Sequence, residues 1–246
     1  MDAPQTIAMP LGHDTARLVD TSSERARARC YPIARWYLRP AAGWFARRLA
    51  RTGVRPSHVS AAGFLAALLA ALAMVQGPGV SFTPALCVLL YWFFDRADGQ
   101  LARCQGTASR WGIWLDGNID ELADVGLHTA MAATLAAQTG AAWPWWLLIA
   151  FLAGKYLLMY GLALEQHAAR KKTLLSPTRS TPDELEPWSL RWAYHLPGNA
   201  DVRIHLLIAA LLTGWWAVEL ALIAVYYNIR WVVRYRLVSQ RLGDRA

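Results

Sequence analysis

Long apolar segments that recur along the chain are the feature that most limits how it can fold. About 20 consecutive apolar residues are needed to cross the hydrocarbon core of a membrane as an α-helix. Predicted spans begin near Ser57, Phe82, Trp111, Ala141 and Ile204. The apolar run Phe82 to Phe94 is too short alone, and it can cross if its helix continues through Asp98 and Ala102. With 55% hydrophobic residues and 13 tryptophans, the chain is predicted to be an all-α integral membrane protein rather than a soluble domain.

The distribution of arginine predicts how often the chain crosses the membrane. The last apolar stretch, Ile204 to Tyr227, is compatible with one span or with two packed around residues 213–216. Two spans there, and six in all, place every basic connection and both basic ends on one side. The opposite turns carry almost no charge and contain Gly77, Gly140 and Gly214. Because basic loops stay in the cytoplasm, we expect six transmembrane helices with both termini cytoplasmic, in a bacterial inner membrane.

The same pattern divides the chain into three parts. Residues 1–30 have no apolar periodicity and are predicted to be a flexible cytoplasmic tail. Residues 31–54 mix aromatic residues with arginines, which predicts an amphipathic interfacial helix that is bent or interrupted at Pro40. Residues 55–240 are predicted to form the six-helix membrane domain.

The basic charge of the chain indicates contact with lipid rather than with nucleic acid. The formal net charge is +8 and is carried mostly by arginine. In a membrane protein such charge sets orientation and attracts anionic headgroups. Because no nucleic-acid-binding motif accompanies it, membrane lipids are expected partners and nucleic acids are not.

Four aspartates lie where an apolar chain tolerates charge least. Asp95 and Asp98 are three residues apart, and Asp116 and Asp120 are four apart, so each pair shares one face of a helix. A carboxylate at the centre of a membrane costs about 2.5 to 3.5 kcal/mol, so positive charge is expected among them. Carboxylates without a histidine or cysteine cluster favour Mg²⁺, Mn²⁺ or Ca²⁺, and four are enough to hold two ions. Such a site commonly holds a phosphoryl group during an in-line displacement.

The aspartates belong to a longer motif that resembles a known family. It reads Asp95-x-x-Asp98-Gly99-x-x-Ala102-Arg103, then eight residues, then Gly112-x-x-x-Asp116-x-x-x-Asp120. This motif resembles the signature of the CDP-alcohol phosphotransferases, with every fixed position present. The predicted helix pattern extends the resemblance over most of the chain.

The resemblance implies an activity and a set of partners. A CDP-linked alcohol, most simply CDP-diacylglycerol, would bind at the cytoplasmic face, and CMP would leave as an alcohol acceptor attacks. The four motif aspartates would hold two divalent ions, Mg²⁺ or Mn²⁺, and Asp120 is also the candidate general base. A homodimer is implied in the same way.

The resemblance also assigns residues to the nucleotide or CDP-lipid. Gly99 removes a side chain where a ligand can come close, and the cation of Arg103 suits phosphate oxygens; Ala102 lies between them in the motif. Ser109 and His58 match positions near the nucleotide in relatives. Each has a second interpretation, as a helix N-cap for Ser109 and a helix-entry residue for His58.

Two basic residues in the later spans are candidates for binding the acceptor. Lys155 lies inside an apolar segment, where it either binds an acceptor phosphate or neutralises excess negative charge beside the site. Arg203 forms an Asp-x-Arg sequence found in some relatives, and it either joins an acceptor pocket or anchors a helix end. Glu121 stands where many relatives carry arginine. The acceptor therefore stays open among glycerol phosphate, inositol phosphate, serine and a phospholipid.

One glycine and four polar residues recur every four positions through the third predicted span. They are Gly112, Asp116, Asp120, Asp124 and His128. This spacing predicts a polar stripe along one inward face, with Gly112 allowing two helices to approach closely. Asp124 is expected to support the metal ligands from outside the motif. His128 is expected to be packed or hydrogen-bonded rather than to touch substrate.

Three other functions fit parts of the pattern. A reversed enzyme would transfer a phospho-alcohol from soluble CDP-choline or CDP-ethanolamine to a lipid acceptor such as diacylglycerol, and only a donor screen separates it. An aspartate-rich prenyltransferase would carry two separated aspartate motifs. A transporter or scaffold would not need Gly99, Arg103 and Gly112 at these spacings.

Overall fold

Every regular element in the described part of the chain is an α-helix. A computed structural model describes residues 32–77, 82–173 and 199–243. Its helices are α1 (Leu38–Leu49), α2 (Pro56–Val75), α3 (Phe82–Cys104), α4 (Arg110–Thr139), α5 (Trp143–Thr173), α6 (Ala200–Thr213) and α7 (Trp216–Gly243). The predicted all-α class is confirmed. The predicted tail, residues 1–30, and most of the polar segment between α5 and α6 lie outside the described residues.

The surface of the helices fits a membrane. Three of them, α2, α5 and α7, contain stretches long and apolar enough to cross one. On α2 the exposed face carries large apolar side chains, including Leu65, Leu68, Leu69 and Leu72. An exposed apolar face of this size is unfavourable in water, so the outward surface of α2 is suited to lipid.

Local signals set the helix boundaries. Pro56 lies at the start of α2, where its missing N–H costs no helical hydrogen bond. Ser109 caps α4 by accepting a hydrogen bond from the Gly112 backbone N–H at 3.0 Å. Gly140 ends α4 and Gly214 ends α6, both in the left-handed conformation. The last apolar stretch therefore forms two helices rather than one.

The first helix is shorter than the predicted amphipathic segment. It runs from Leu38 to Leu49, after turns at residues 32–37. Pro40 lies in its first turn, where helices tolerate proline, so α1 is not interrupted at Pro40. The buried residues Leu38, Ala42 and Ala46 lie on the side of α1 that packs against α3.

Helix α3 packs against three other helices, and so does α4. The partners of α3 are α1, α2 and α6, while α4 contacts α2, α5 and α7, and α5 packs along α7. The close approach of α2 to α3 occurs at Gly63, where an added Cβ would lie 3.2 Å from Cβ of Phe94. The close approach predicted at Gly112 is not observed, since a Cβ there would meet only Ser109 of the same helix end.

A buried aspartate ties α6 to the start of the described chain. Asp201 is fully buried. Its carboxylate accepts hydrogen bonds from the backbone N–H groups of Ile33 at 2.7 Å and Ala34 at 3.0 Å, and from the Trp92 indole at 3.2 Å. These bonds satisfy donors that would otherwise be buried without partners. They hold α3 and α6 at a fixed separation beside the acidic motif.

Candidate active site

Three of the four motif aspartates converge between α3 and α4. Asp95 and Asp98 come from α3 and Asp116 from α4, and one carboxylate oxygen of each lies within 4.8 Å of the others. Asp98 is only 6% exposed. A compact set of carboxylate oxygens without histidine or cysteine is the donor type that Mg²⁺ and Mn²⁺ prefer. The three aspartates therefore fit the divalent cation predicted from the motif.

Neighbouring groups orient the two aspartates of α3. The Ser60 hydroxyl, on α2, donates to Asp98 at 2.5 Å, and the Gly99 backbone N–H donates to the same carboxylate. Arg96 pairs with Asp95, and its guanidinium lies 4.0 Å from the centre of the Trp92 ring. The start of α2 thus contributes Ser60 directly to the acidic cluster.

Asp120 lies outside this group of three and has a partner of its own. It follows Asp116 by one helical turn, and its carboxylate accepts a hydrogen bond from the Tyr91 hydroxyl at 2.7 Å. Tyr91 is a buried residue of α3. Its place one turn before Asp95 was a signal that it lies on the acidic face of that helix. The bond fixes one oxygen of Asp120 and leaves the other for a further contact.

The residues assigned to the nucleotide lie around the α3–α4 turn. At Gly99 an added Cβ would lie 3.5 Å from a guanidinium nitrogen of Arg103, an ordinary contact distance, so the arginine side chain lies beside this glycine. Arg103, Ser109 and His58 are exposed, and Ala102 is partly exposed. Besides the N-cap contact of Ser109, the His58 ring nitrogen accepts a hydrogen bond from the Arg55 N–H at 3.4 Å. Both residues thus make the helix-end contacts of their second interpretation.

The two candidate acceptor residues meet at one aspartate. Lys155 of α5 pairs with Asp124, and its ammonium nitrogen lies 2.7 Å from a carboxylate oxygen of Glu121. Arg203 of α6 lies 2.5 Å from the other oxygen of Asp124 and donates to the Tyr227 hydroxyl at 2.7 Å. Asp124, expected to support the metal ligands, instead joins the two cations.

A buried histidine extends this cluster towards α7. His128 is 3% exposed. One ring nitrogen lies 2.7 Å from the Asp124 carbonyl oxygen and the other lies 3.4 Å from Glu219. This is the hydrogen-bonded role expected of His128. Glu219 was not assigned from the sequence, although an acidic residue within an apolar stretch marks a candidate for function.

A cavity lies where Asp120 of the acidic motif meets the cationic cluster of Lys155 and Arg203. Its volume is about 90 Å³, and it lies between α3, α4, α5 and α6. Tyr91 and Asp120 line it. Its other charged lining residues are Glu121, Asp124, Lys155 and Arg203. The fold therefore brings the candidate base and the candidate acceptor residues to a single cavity with room for several water molecules or a small polar group.

The part of the chain that forms this site matches a known protein family. The sequence profile of the CDP-alcohol phosphatidyltransferase family matches residues 54–232. The phosphatidylinositol phosphate synthase of Streptomyces avermitilis is 38% identical over 80 residues, covering 32% of each chain. The bifunctional IPC transferase and DIPP synthase of Aquifex aeolicus is 25% identical over 237 residues, 92% of this chain and 51% of that protein.

An archaeal relative matches a shorter part of the chain. The archaetidylinositol phosphate synthase of Pyrococcus horikoshii is 29% identical over 114 residues, which cover 46% of this chain and 56% of that protein. The alignments with these three relatives span between 32% and 56% of the relatives' own lengths.

Proposed function

Because the chain belongs to the CDP-alcohol phosphatidyltransferase family, we propose that it transfers a phosphatidyl group from CDP-diacylglycerol to an alcohol acceptor and releases CMP. The observation that carries this proposal is the convergence of Asp95, Asp98 and Asp116 next to a cavity that Asp120 lines. The family signature supplies the donor class, and the cavity supplies a place for the acceptor beside a carboxylate.

We assign two divalent ions to the four motif aspartates. Asp95, Asp98 and Asp116 would hold Mg²⁺ or Mn²⁺, with Asp120 as the fourth ligand. Bound ions would neutralise the pyrophosphate and stabilise the charge that develops on departing CMP. The protein's own cations near the cluster include Arg96, which pairs with Asp95, and Arg103, which we assign to nucleotide phosphate together with the backbone of Gly99.

Asp120 is the proposed general base. The acceptor hydroxyl gives its proton to Asp120, its oxygen bonds to the lipid-linked phosphorus, and the bond from that phosphorus to CMP breaks. Tyr91 holds the carboxylate of Asp120 through the hydrogen bond at 2.7 Å. Ala102, Ser109 and His58 would line the nucleotide side of the site.

Lys155 and Arg203 are the proposed acceptor-side residues. Both line the cavity that Asp120 borders, and both are held there by Asp124. Relatives named as phosphatidylinositol phosphate and archaetidylinositol phosphate synthases support a polyol in the acceptor. The products in those names also carry a phosphate. The distance between donor and acceptor residues would be set by α4, which carries Asp116, Asp120 and Asp124.

We also propose six transmembrane helices, α2 to α7, following an interfacial α1. Helices α3 and α4 have 23 and 30 residues and are long enough to cross a membrane. Helix α6 has 14 residues, a length of about 21 Å, so the turns at its ends would enter the headgroup layers. Arginine-rich connections support cytoplasmic termini and a cytoplasmic site in a bacterial inner membrane.

The proposed domain arrangement is a tail (1–30), an interfacial segment (31–54) and the membrane domain (55–240), assembled as a homodimer. The dimer is inferred from the family. Chemical crosslinking of the purified protein in lipid nanodiscs should yield a dimer band whose intensity does not change on dilution. A monomer at every concentration would contradict the dimer.

A reconstituted transferase assay tests the activity. Full-length protein in nanodiscs would receive CDP-diacylglycerol, Mg²⁺ or Mn²⁺ and a panel of alcohols, with CMP and lipid product measured. Asp120→Asn should lower CMP release by at least about 100-fold, without changing elution volume or helical circular dichroism. Glu165→Gln, which breaks an ion pair with Arg234, is the control and should retain activity.

Two results would change the proposal. CMP release by Asp120→Asn near the wild-type rate would remove Asp120 from the reaction. CMP formed from CDP-choline or CDP-ethanolamine with diacylglycerol, but not from CDP-diacylglycerol, would establish the reversed direction of transfer.

A further inference from the structure

The cations that face the cavity are already neutralised by carboxylates. Among the described residues that line it, only Lys155 and Arg203 are cationic. Lys155 contacts both Asp124 and Glu121, and Arg203 contacts Asp124. An incoming anion would therefore find both cations paired with carboxylates, while Nε of Arg203 makes no hydrogen bond.

The charged side chains of the cavity are balanced once Asp120, the proposed metal ligand, is set aside. The carboxylates of Glu121 and Asp124 face the cations of Lys155 and Arg203. A phosphate monoester would add a charge of about −1.5 to −2 at neutral pH. A phosphate would compete for both cations with Asp124, which is 9% exposed. Removing a partner from a buried ion pair leaves an uncompensated charge and is strongly unfavourable.

We propose that the acceptor alcohol carries no phosphate group and is a neutral polyol. This inference rests on the proposed function and adds the acceptor class to it. A hydroxyl group both donates and accepts hydrogen bonds. It can donate to the carboxylates of Glu121 and Asp124 and accept from the ammonium of Lys155 without disturbing the ion pairs. A neutral polyol thus fits the cavity without a change in its charge.

Glu121 is the residue that this geometry assigns to the exclusion of phosphorylated acceptors. Its side chain is 46% exposed, whereas that of Asp124 is 10% exposed. Glu121 therefore lies on the open side of the ion-pair cluster, where it adds a second carboxylate to Lys155. Removing its charge leaves Asp124 with both cations and lets Lys155 attract an anion. The exposed position also makes loss of folding unexpected.

Matched acceptor pairs test the inference. The pairs are inositol with inositol 1-phosphate, and glycerol with glycerol 3-phosphate, each offered to the full chain in nanodiscs with CDP-diacylglycerol and Mg²⁺. We expect kcat/KM for the unphosphorylated member to exceed that for its phosphorylated partner by at least about tenfold. In Glu121→Gln this ratio should fall by about tenfold or more. Glu165→Gln, which removes an ion pair elsewhere, should leave the ratio unchanged.

The outcomes are distinguishable from failure of the proposed function. A wild-type preference for the phosphorylated member of both pairs overturns the inference, and an unchanged ratio in Glu121→Gln removes Glu121 from the selection. If neither pair gives CMP, binding of CDP-diacylglycerol is measured without acceptor. Metal-dependent binding would then support CDP-diacylglycerol as the donor and refute the neutral polyol as the acceptor. Absence of binding would refute the proposed function itself.

Discussion

The hydrogen bond from Tyr91 to Asp120 can be removed without disturbing the packing around it. Tyr91 is 3% exposed in α3, and its hydroxyl donates to Asp120 at 2.7 Å. The change Tyr91→Phe deletes the hydroxyl and keeps the ring. We therefore expect the variant to fold like the wild type and to hold Asp120 less firmly.

The size of the effect follows from the charge of the acceptor. A hydrogen bond to a charged group contributes about 1.5 to 3 kcal/mol, which corresponds to a decrease in kcat of about 10- to 150-fold if the bond acts fully in the transition state. Asp120 is partly exposed, so water can replace part of the lost bond. The expected decrease is therefore near the lower end, about tenfold.

The assay follows CMP release at saturating CDP-diacylglycerol and Mg²⁺ while the acceptor concentration is varied. Because Tyr91 contacts the proposed base, kcat should fall while KM for the acceptor changes by less than about twofold. Tyr160→Phe is a matched control, since Tyr160 is 49% exposed on α5. A kcat for Tyr91→Phe within twofold of both the wild type and this control would refute a role for the bond in positioning Asp120.

Three further predictions concern packing, burial and metal. Gly154→Ala should destabilise the protein by about 1 to 3 kcal/mol, because the new Cβ would lie 3.0 Å from the Asn228 backbone nitrogen; thermal unfolding in detergent measures this. Gly126→Ala, with no neighbour within 4 Å, should be neutral or stabilising, and equal losses in both variants would contradict the packing explanation. Asp201→Ala should lower the free energy of unfolding by about 3 kcal/mol or more, because it leaves buried donors without an acceptor. An unfolding temperature equal to that of the wild type would contradict this. EDTA should abolish CMP release and Mg²⁺ or Mn²⁺ should restore it; activity that survives chelation would exclude the metal site.

Sequence spacing predicted the elements of this fold well because membrane spans and helix faces are periodic. The apolar run after Phe82 is too short to cross alone, and its predicted continuation through Asp98 and Ala102 is observed in α3. Since residues three or four apart share a helix face, the spacing of the motif also predicted the meeting of Asp95, Asp98 and Asp116. The capping positions of Ser109, Gly140 and Gly214 needed only local information.

The partners along α4 were less predictable because four residues do not make a whole number of helical turns. Each step of four residues rotates the side chain about 40° past a full turn, so three steps rotate it about 120°. Asp116 accordingly meets α3, Asp124 meets α5 and α6, and His128 meets Glu219 of α7. The predicted single polar face is therefore a stripe that winds across the helix.

Contacts between distant segments were also beyond the reach of local patterns. Ser60 and Asp98 are 38 residues apart, and Asp201 and Ile33 are 168 apart. Their pairing depends on how the helices pack, which periodicity within one helix does not encode. Glycine at a close helix contact was expected in the motif at Gly112, but the contact occurs at Gly63, where α2 crosses the backbone of α3.

Neighbouring positions on α4 place the proposed general base and the proposed acceptor-selecting residue on one helix. Consecutive helical residues point about 100° apart, so Asp120 contacts Tyr91 of α3 while Glu121 contacts Lys155 of α5. The proposed base and the proposed acceptor selector thus keep a fixed separation without a mobile loop between them. Since their partners lie on different helices, loss of the Tyr91 bond should slow the reaction without changing acceptor choice. Loss of the Glu121 charge should change acceptor choice with a smaller effect on the rate for a neutral acceptor.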